Sequence, residues 1–152
     1  KNKVKQRAQL AQKITALNIT VPKLIPLGGA ARVGYMLGYK SKKLFRVNVL
    51  WGLGITDQVE SKEVLSLSII LKEHFLSKRY QKKLYAVNAK VDDKKAIVFR
   101  GLDKKGRMIH LSLKSLKAKA TEDKKDSNNH RPVLRLSYIL DPGNPDILKA
   151  KF

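Results

Sequence analysis

The sequence predicts an α+β fold: an antiparallel β-meander of about four to five strands packed against one long helix, with a basic N-terminal arm of helical and irregular character. Three observations carry this. Short segments after residue 84 alternate apolar and polar residues and are separated by turn residues. The stretch 58–81 runs about 24 residues without Gly or Pro and repeats apolar groups at helical spacing. The first 56 residues hold 11 basic side chains and no acidic one, which sets that part apart from the rest.

In chain order, residues 3 to about 17 place Val4, Ala8, Ala11 and Ile14 or Thr15 on one helical face, with Lys and Gln on the other. Residues 18–43 read as irregular, because Pro22 and Pro26 interrupt regular structure and Gly28, Gly29, Gly34 and Gly38 free the backbone. Leu44–Trp51 alternates Phe45, Val47, Val49 and Trp51 against Arg46 and Asn48, a strand. Asp57 and Glu60 offer a capping box for the helix 58–81. Val64, Leu67, Leu71 and Phe75 form its apolar stripe; acids at its start and Lys78, Arg79, Lys82 and Lys83 at its end suit the macrodipole. The centre, Leu65-Ser-Leu-Ser-Ile69, alternates like a strand and competes with that reading.

Four strands are expected beyond the helix: Leu84–Val91, Ala96–Leu102, Arg107–Leu113 and Val133–Leu140. Asp92–Lys95 and Asp103–Gly106 supply the turns. Lys114–Arg131, rich in Lys, Asp, Ser and Asn, reads as a mobile surface loop. The expected organisation is an arm, 1–43, a core domain, 44–141, and a tail, 142–152. Lys1 in first position implies a processed or truncated chain, with any targeting segment upstream.

The charge limits the function classes. With 33 Lys plus Arg against 12 Asp plus Glu, the net charge is +21, far more than solubility requires. Such a field steers polyanions and is relieved by one, so nucleic acid is the expected partner, RNA ahead of DNA, with acidic proteins of a larger assembly behind. Lys outnumbers Arg 25 to 8, which favours backbone contacts over base reading. No apolar run approaches the ~18 residues of a membrane-spanning helix. Zero Cys excludes disulfides, thiolate zinc sites and a thiol nucleophile.

The expected nucleic-acid contacts are Lys3, Lys5, Arg7, Lys13, Lys23, Arg32, Tyr35, Tyr39, Lys40, Lys42, Lys43 and Arg46, joined by Lys78, Arg79, Lys82 and Lys83. The lysines and arginines would meet phosphates, while Tyr35 and Tyr39, set in the Gly- and Lys-rich segment 32–43, would stack on bases or pack on the core.

Catalytic signatures are weak. His74, His110 and His130 have no metal-ligand spacing, and no Ser sits in a G-x-S-x-G elbow. Gly34 to Ser41 departs from the phosphate-loop pattern because Tyr39 interrupts Gly-Lys. Acid-x-Lys triplets at Glu60, Asp103, Glu122 and Asp123 keep a metal-dependent nuclease as a remote alternative. No cofactor or metal is expected.

In size, basicity and its Gly- and Lys-rich extension the chain resembles ribosomal proteins as a class, on composition rather than on any motif. That resemblance implies a structural component of a cytoplasmic or organellar ribonucleoprotein. Alternatives are a DNA-binding protein and a basic linker that holds acidic proteins together.

Overall fold

The strands assemble into one antiparallel sheet, seen in a computed structural model that describes residues 15–52, 54–55, 59–117 and 130–143. Among the described residues the sheet has seven strands: β1 (Thr15–Val21), β2 (Ala31–Leu37), β3 (Leu44–Gly52), β4 (Ala86–Lys90), β5 (Lys95–Leu102), β6 (Met108–Lys117) and β7 (His130–Ile139). Their order across the sheet is β1-β2-β3-β7-β6-β5-β4. Two meanders, β1–β3 and β4–β7, therefore meet where β3 pairs with β7. The helix α1 (Ser61–Leu76) lies in the connection that carries the chain from β3 to the far edge at β4.

The α+β class, the antiparallel sheet and the single packed helix agree with the sequence reading. The strand count and the N-terminal region do not. Residues 15–17, expected at the end of a helix, open β1, and the segment expected to be irregular contains most of β1 and all of β2. Leu17, Ile19 and Val21 alternate with Asn18 and Thr20, and Ala31, Val33, Tyr35 and Leu37 alternate with Arg32, Gly34 and Met36. Period-2 alternation thus prevails over the glycine and proline punctuation. Gly34 sits inside β2 opposite Asn18, and a Cβ built there would stand 2.8 Å from Asn18 Oδ1, the end of an exposed side chain that can turn aside. Residues 1–14 lie outside the described residues, as do Asp57, most of the expected loop 114–131 (β6 runs to Lys117 and β7 begins at His130) and all of the tail beyond Gly143.

Helix α1 is shorter than expected, 16 residues, and the strand-like Leu65–Ile69 is helical. Its serines are absorbed within the helix: Ser66 Oγ donates to Lys62 O at 2.9 Å and Ser68 Oγ to Leu65 O at 2.6 Å. Glu60 is the N-cap, with no side-chain capping bond, and the carboxylate of Glu63 accepts a 2.9 Å bond from Gly28 N. Ser77 closes the last turn, and Tyr80 then turns back onto Gly101 and Phe99. Lys78, Arg79, Lys82 and Lys83 consequently lie beyond the helix, in the α1–β4 connection.

The register lines up an apolar row across the whole sheet: Ile19, Val33, Val49, Leu136, Leu111, Phe99 and Val87. Its central members form one core with Trp51 and Leu134 and with Val64, Leu67 and Phe75 of α1. Phe75 stacks on Phe99 with centroids 5.6 Å apart. Covering this row is what the helix is for, since each buried Leu or Phe side chain contributes roughly 1.5–3 kcal/mol.

Candidate nucleic-acid interface

One residue further along every strand the side chains point to the opposite face. There the register gives the row Asn18, Gly34, Asn48, Ser137, His110, Arg100 and Ala86, and beside it Thr20, Arg32, Leu50, Arg135, Ser112, Ile97 and Ala89. Arg46 follows on β3, paired with Met36 and Ile139, and at the other end Lys95 pairs with Lys114. Among the described residues no second helix or sheet covers this face.

None of the described strands contains an Asp or a Glu. The described acids sit at or in α1 (Glu60, Glu63, Glu73), in hairpin turns (Asp92, Asp93, Asp103) or after β7 (Asp141). Asp103 is occupied locally, accepting from Arg107 Nε at 2.6 Å and from the backbone N–H groups of Lys105 and Arg107 at 2.9 Å. Four of the eight arginines, Arg32, Arg46, Arg100 and Arg135, therefore share a face with Lys95 and Lys114 and with no carboxylate among the described residues.

Neutral groups hold these cations in place. Arg46 Nε donates to Asn48 Oδ1 at 2.9 Å, and the same oxygen accepts from Ser137 Oγ at 2.7 Å. Ser137 Oγ in turn accepts from Arg135 Nε at 3.2 Å and from Arg46 Nη2 at 3.5 Å. Arg100 Nε is anchored on Leu84 O at 2.8 Å, and Arg32 reaches Gly54 O at 3.4 Å. Burial, with Arg135 adding repulsion, lowers the pKa of Arg46. At the centre His110 is held down to about 4, first by burial and then by Arg100, Lys95, Arg135 and Arg46. It is neutral at pH 7, and its buried Nε2 has no hydrogen-bond partner.

The residues expected from sequence do not all come together here. Arg32 and Arg46 are on this face. Tyr35 is on the other, in a row with Leu17, Val47, Tyr138, Ile109 and Gly101, so it cannot stack on anything bound beside Arg32. Tyr39, Lys40, Lys42 and Lys43 form the β2–β3 turn, where Lys42 Nζ lies 5.6 Å from the Tyr39 ring centroid. Lys23 is exposed between β1 and β2, and Lys78, Arg79, Lys82 and Lys83 are exposed beyond α1. Lys3, Lys5, Arg7 and Lys13 lie outside the described residues.

Sequence reasoning passed over Lys95, Arg100, His110, Lys114 and Arg135. The signal was present, because Arg100 follows Phe99, His110 precedes Leu111, and Arg135 sits between Leu134 and Leu136. Once the apolar positions are assigned to the core, their neighbours make up the opposite face. Of the acid-x-Lys triplets, Glu60 stands at the N-cap position of α1 and Asp103 closes a hairpin, and Glu122 and Asp123 lie outside the described residues. Among the described residues no three His, Asp or Glu side chains gather as a metal site, and no helix is long and apolar enough to cross a membrane.

The open-face rows hold no Phe, Tyr or Trp. Chemically this surface offers fixed guanidinium forks and amide and hydroxyl groups, suited to phosphate oxygens, without an aromatic platform for stacking. Comparison of the chain with models of protein families, with curated proteins and with solved structures found no match.

Proposed function

We propose that this chain is an RNA-binding structural protein, a ribosomal or ribosome-associated component that neutralises phosphates through the open face of its sheet and its Lys-rich N-terminal segment. One observation carries the reading: the acid-free face on which Arg32, Arg46, Arg100 and Arg135 gather without counter-charges among the described residues. A folded domain that concentrates like charge at a cost in its own stability is relieved by a polyanion. The net charge of +21 supports the same conclusion from composition.

The test is a salt-titrated binding assay against structured RNA, single-stranded DNA and duplex DNA, with an acidic protein as control. Log affinity is expected to fall with log salt by about 0.7–0.9 per phosphate contacted, with structured RNA bound most tightly. Preference for either DNA would replace RNA by DNA in the assignment. Absence of nucleic-acid binding at physiological salt would overturn it.

One observation favours a second reading, a basic linker between acidic proteins. Strand β1 pairs only with β2 among the described strands, and Leu17 and Ile19 on it are 57% and 49% exposed. An uncharged edge of that kind accepts a partner strand. Tight, saturable binding to the acidic control with weak RNA binding would favour the linker.

A further inference from the structure

We infer that Arg46 and Arg135 form a seat for a single phosphate group at the centre of the open face, with Ser137 and Asn48 as its floor and His110 as its neighbour. The inference rests on the phosphate-binding reading above and goes further, since it replaces a diffuse basic surface by one located, bidentate contact.

Two guanidinium groups converge on one hydroxyl. Arg135 Nε and Arg46 Nη2 both donate to Ser137 Oγ, at 3.2 and 3.5 Å, and Ser137 Oγ in turn donates to Asn48 Oδ1. Arg46 Nε is fixed on the same Asn48 oxygen. Each guanidinium has five N–H donors, and most of them remain for a ligand. Like charges repel at such range, and among the described residues no carboxylate reaches either arginine. The side chains are instead oriented by neutral acceptors, which fix direction without cancelling charge.

The neighbourhood extends the same pattern. His110 pairs with Ser137 across β6 and β7, and its Nε2 is buried without a partner. The charged groups that face it are all cations: Arg100 and Lys95 from β5, Arg135 from β7 and Arg46 from β3. What this cluster lacks is an anion. A tetrahedral phosphate accepts two parallel N–H bonds from a guanidinium fork, and lysine cannot reproduce that geometry. The phosphate could belong to a polynucleotide backbone or be free in solution, and the experiment separates the two.

The test uses the full chain and the double variant Arg46→Lys/Arg135→Lys, which keeps the charge and removes both forks. Binding of a short RNA duplex and of inorganic phosphate is measured, and the protonation midpoint of His110 is followed by NMR with and without each probe. The seat predicts at least about a tenfold loss of affinity for the duplex in the double variant. It also predicts an upward move of the His110 midpoint in the wild-type chain when the seat is filled. A midpoint that moves with RNA alone assigns the seat to a backbone phosphodiester, and one that moves with inorganic phosphate as well assigns it to phosphate generally. Wild-type affinity in the double variant, or a His110 midpoint unmoved by bound RNA, overturns the seat while leaving the RNA-binding reading intact. Failure of the wild-type chain to bind RNA overturns that reading instead, and movement of the midpoint by inorganic phosphate alone would still sustain the seat.

Discussion

The two faces of the sheet are built from the same strands, one residue out of step, and have opposite chemistry. The row from Ile19 to Val87 through Val49, Leu136 and Phe99 carries no charge and is sealed at its centre by α1. The rows beside it carry Arg32, Arg100, Arg135 and His110, lack acids, and have no covering element among the described residues. On the proposed reading, the difference separates stability from binding in space. Among the described residues the cluster that packs under α1 lies on one side, while the other side concentrates cations around a smaller set of buried residues that includes Met108 and Ser137. Changes on the covered face should therefore act on stability, and changes on the open face should act on binding.

The largest effects are expected on the covered face. Trp51→Ala removes a fully buried indole that packs with α1 and should cost roughly 3–5 kcal/mol in chemical denaturation. Gly52→Ala acts through the backbone of the β3–β7 pairing rather than through the covered face and is expected nearly as severe, roughly 2–4 kcal/mol, since its φ of +106° disfavours a side chain and a Cβ would collide with the Pro132 carbonyl of the paired strand. Conservation of stability in Trp51→Ala would break the assignment of the covered face as the core, and conservation in Gly52→Ala would break the β3–β7 pairing at that position.

His110 sharpens the comparison through pH. Its folded midpoint of about 4 lies below the 6.5 of the free group, so between those values the unfolded chain binds a proton that the folded chain refuses. Stability should be full above about pH 6.5 and decline as pH falls toward 4. Discounted for partial exposure, the loss is about 1 kcal/mol. Denaturation curves of His110→Gln should lack this decline relative to wild type.

The smallest effect has the opposite sign. Arg135→Leu removes a charge that repels Arg46 and should leave stability unchanged or raise it by roughly 0.5 kcal/mol while weakening RNA binding. A marked loss of stability would mean that the open face supports the fold after all.

How far these faces could be read from sequence depended on the range of the contacts involved. Strands β3 and β5–β7 and the body of α1 follow from local periodicity, and so does the inward set Val47, Val49, Leu134 and Leu136. Strands β1 and β2 were obscured because Pro22, Pro26 and Gly34 read as breaks, whereas Gly34 is held in β2 by pairing with Asn18 and Asn48 on its two neighbouring strands. Arg32 and Arg46 were legible as basic residues, but their union with Arg100 and Arg135 depends on β3 pairing with β7. Arg46 and Ser137 are 91 residues apart, and no local pattern specifies that pairing.

The central claim, that the open face binds nucleic acid, is tested most directly by comparing two four-charge removals. In one variant Arg32, Arg46, Arg100 and Arg135 are changed to Gln. In the other Lys62, Lys72, Lys104 and Lys105, on α1 and the β5–β6 hairpin, are changed to Gln. Both lose the same net charge, and structured-RNA affinity is measured over a salt series for each. The account predicts that the arginine variant loses most of its affinity and that its salt slope falls by about 2–4, while the lysine variant stays close to wild type. Equal losses in the two variants would contradict it.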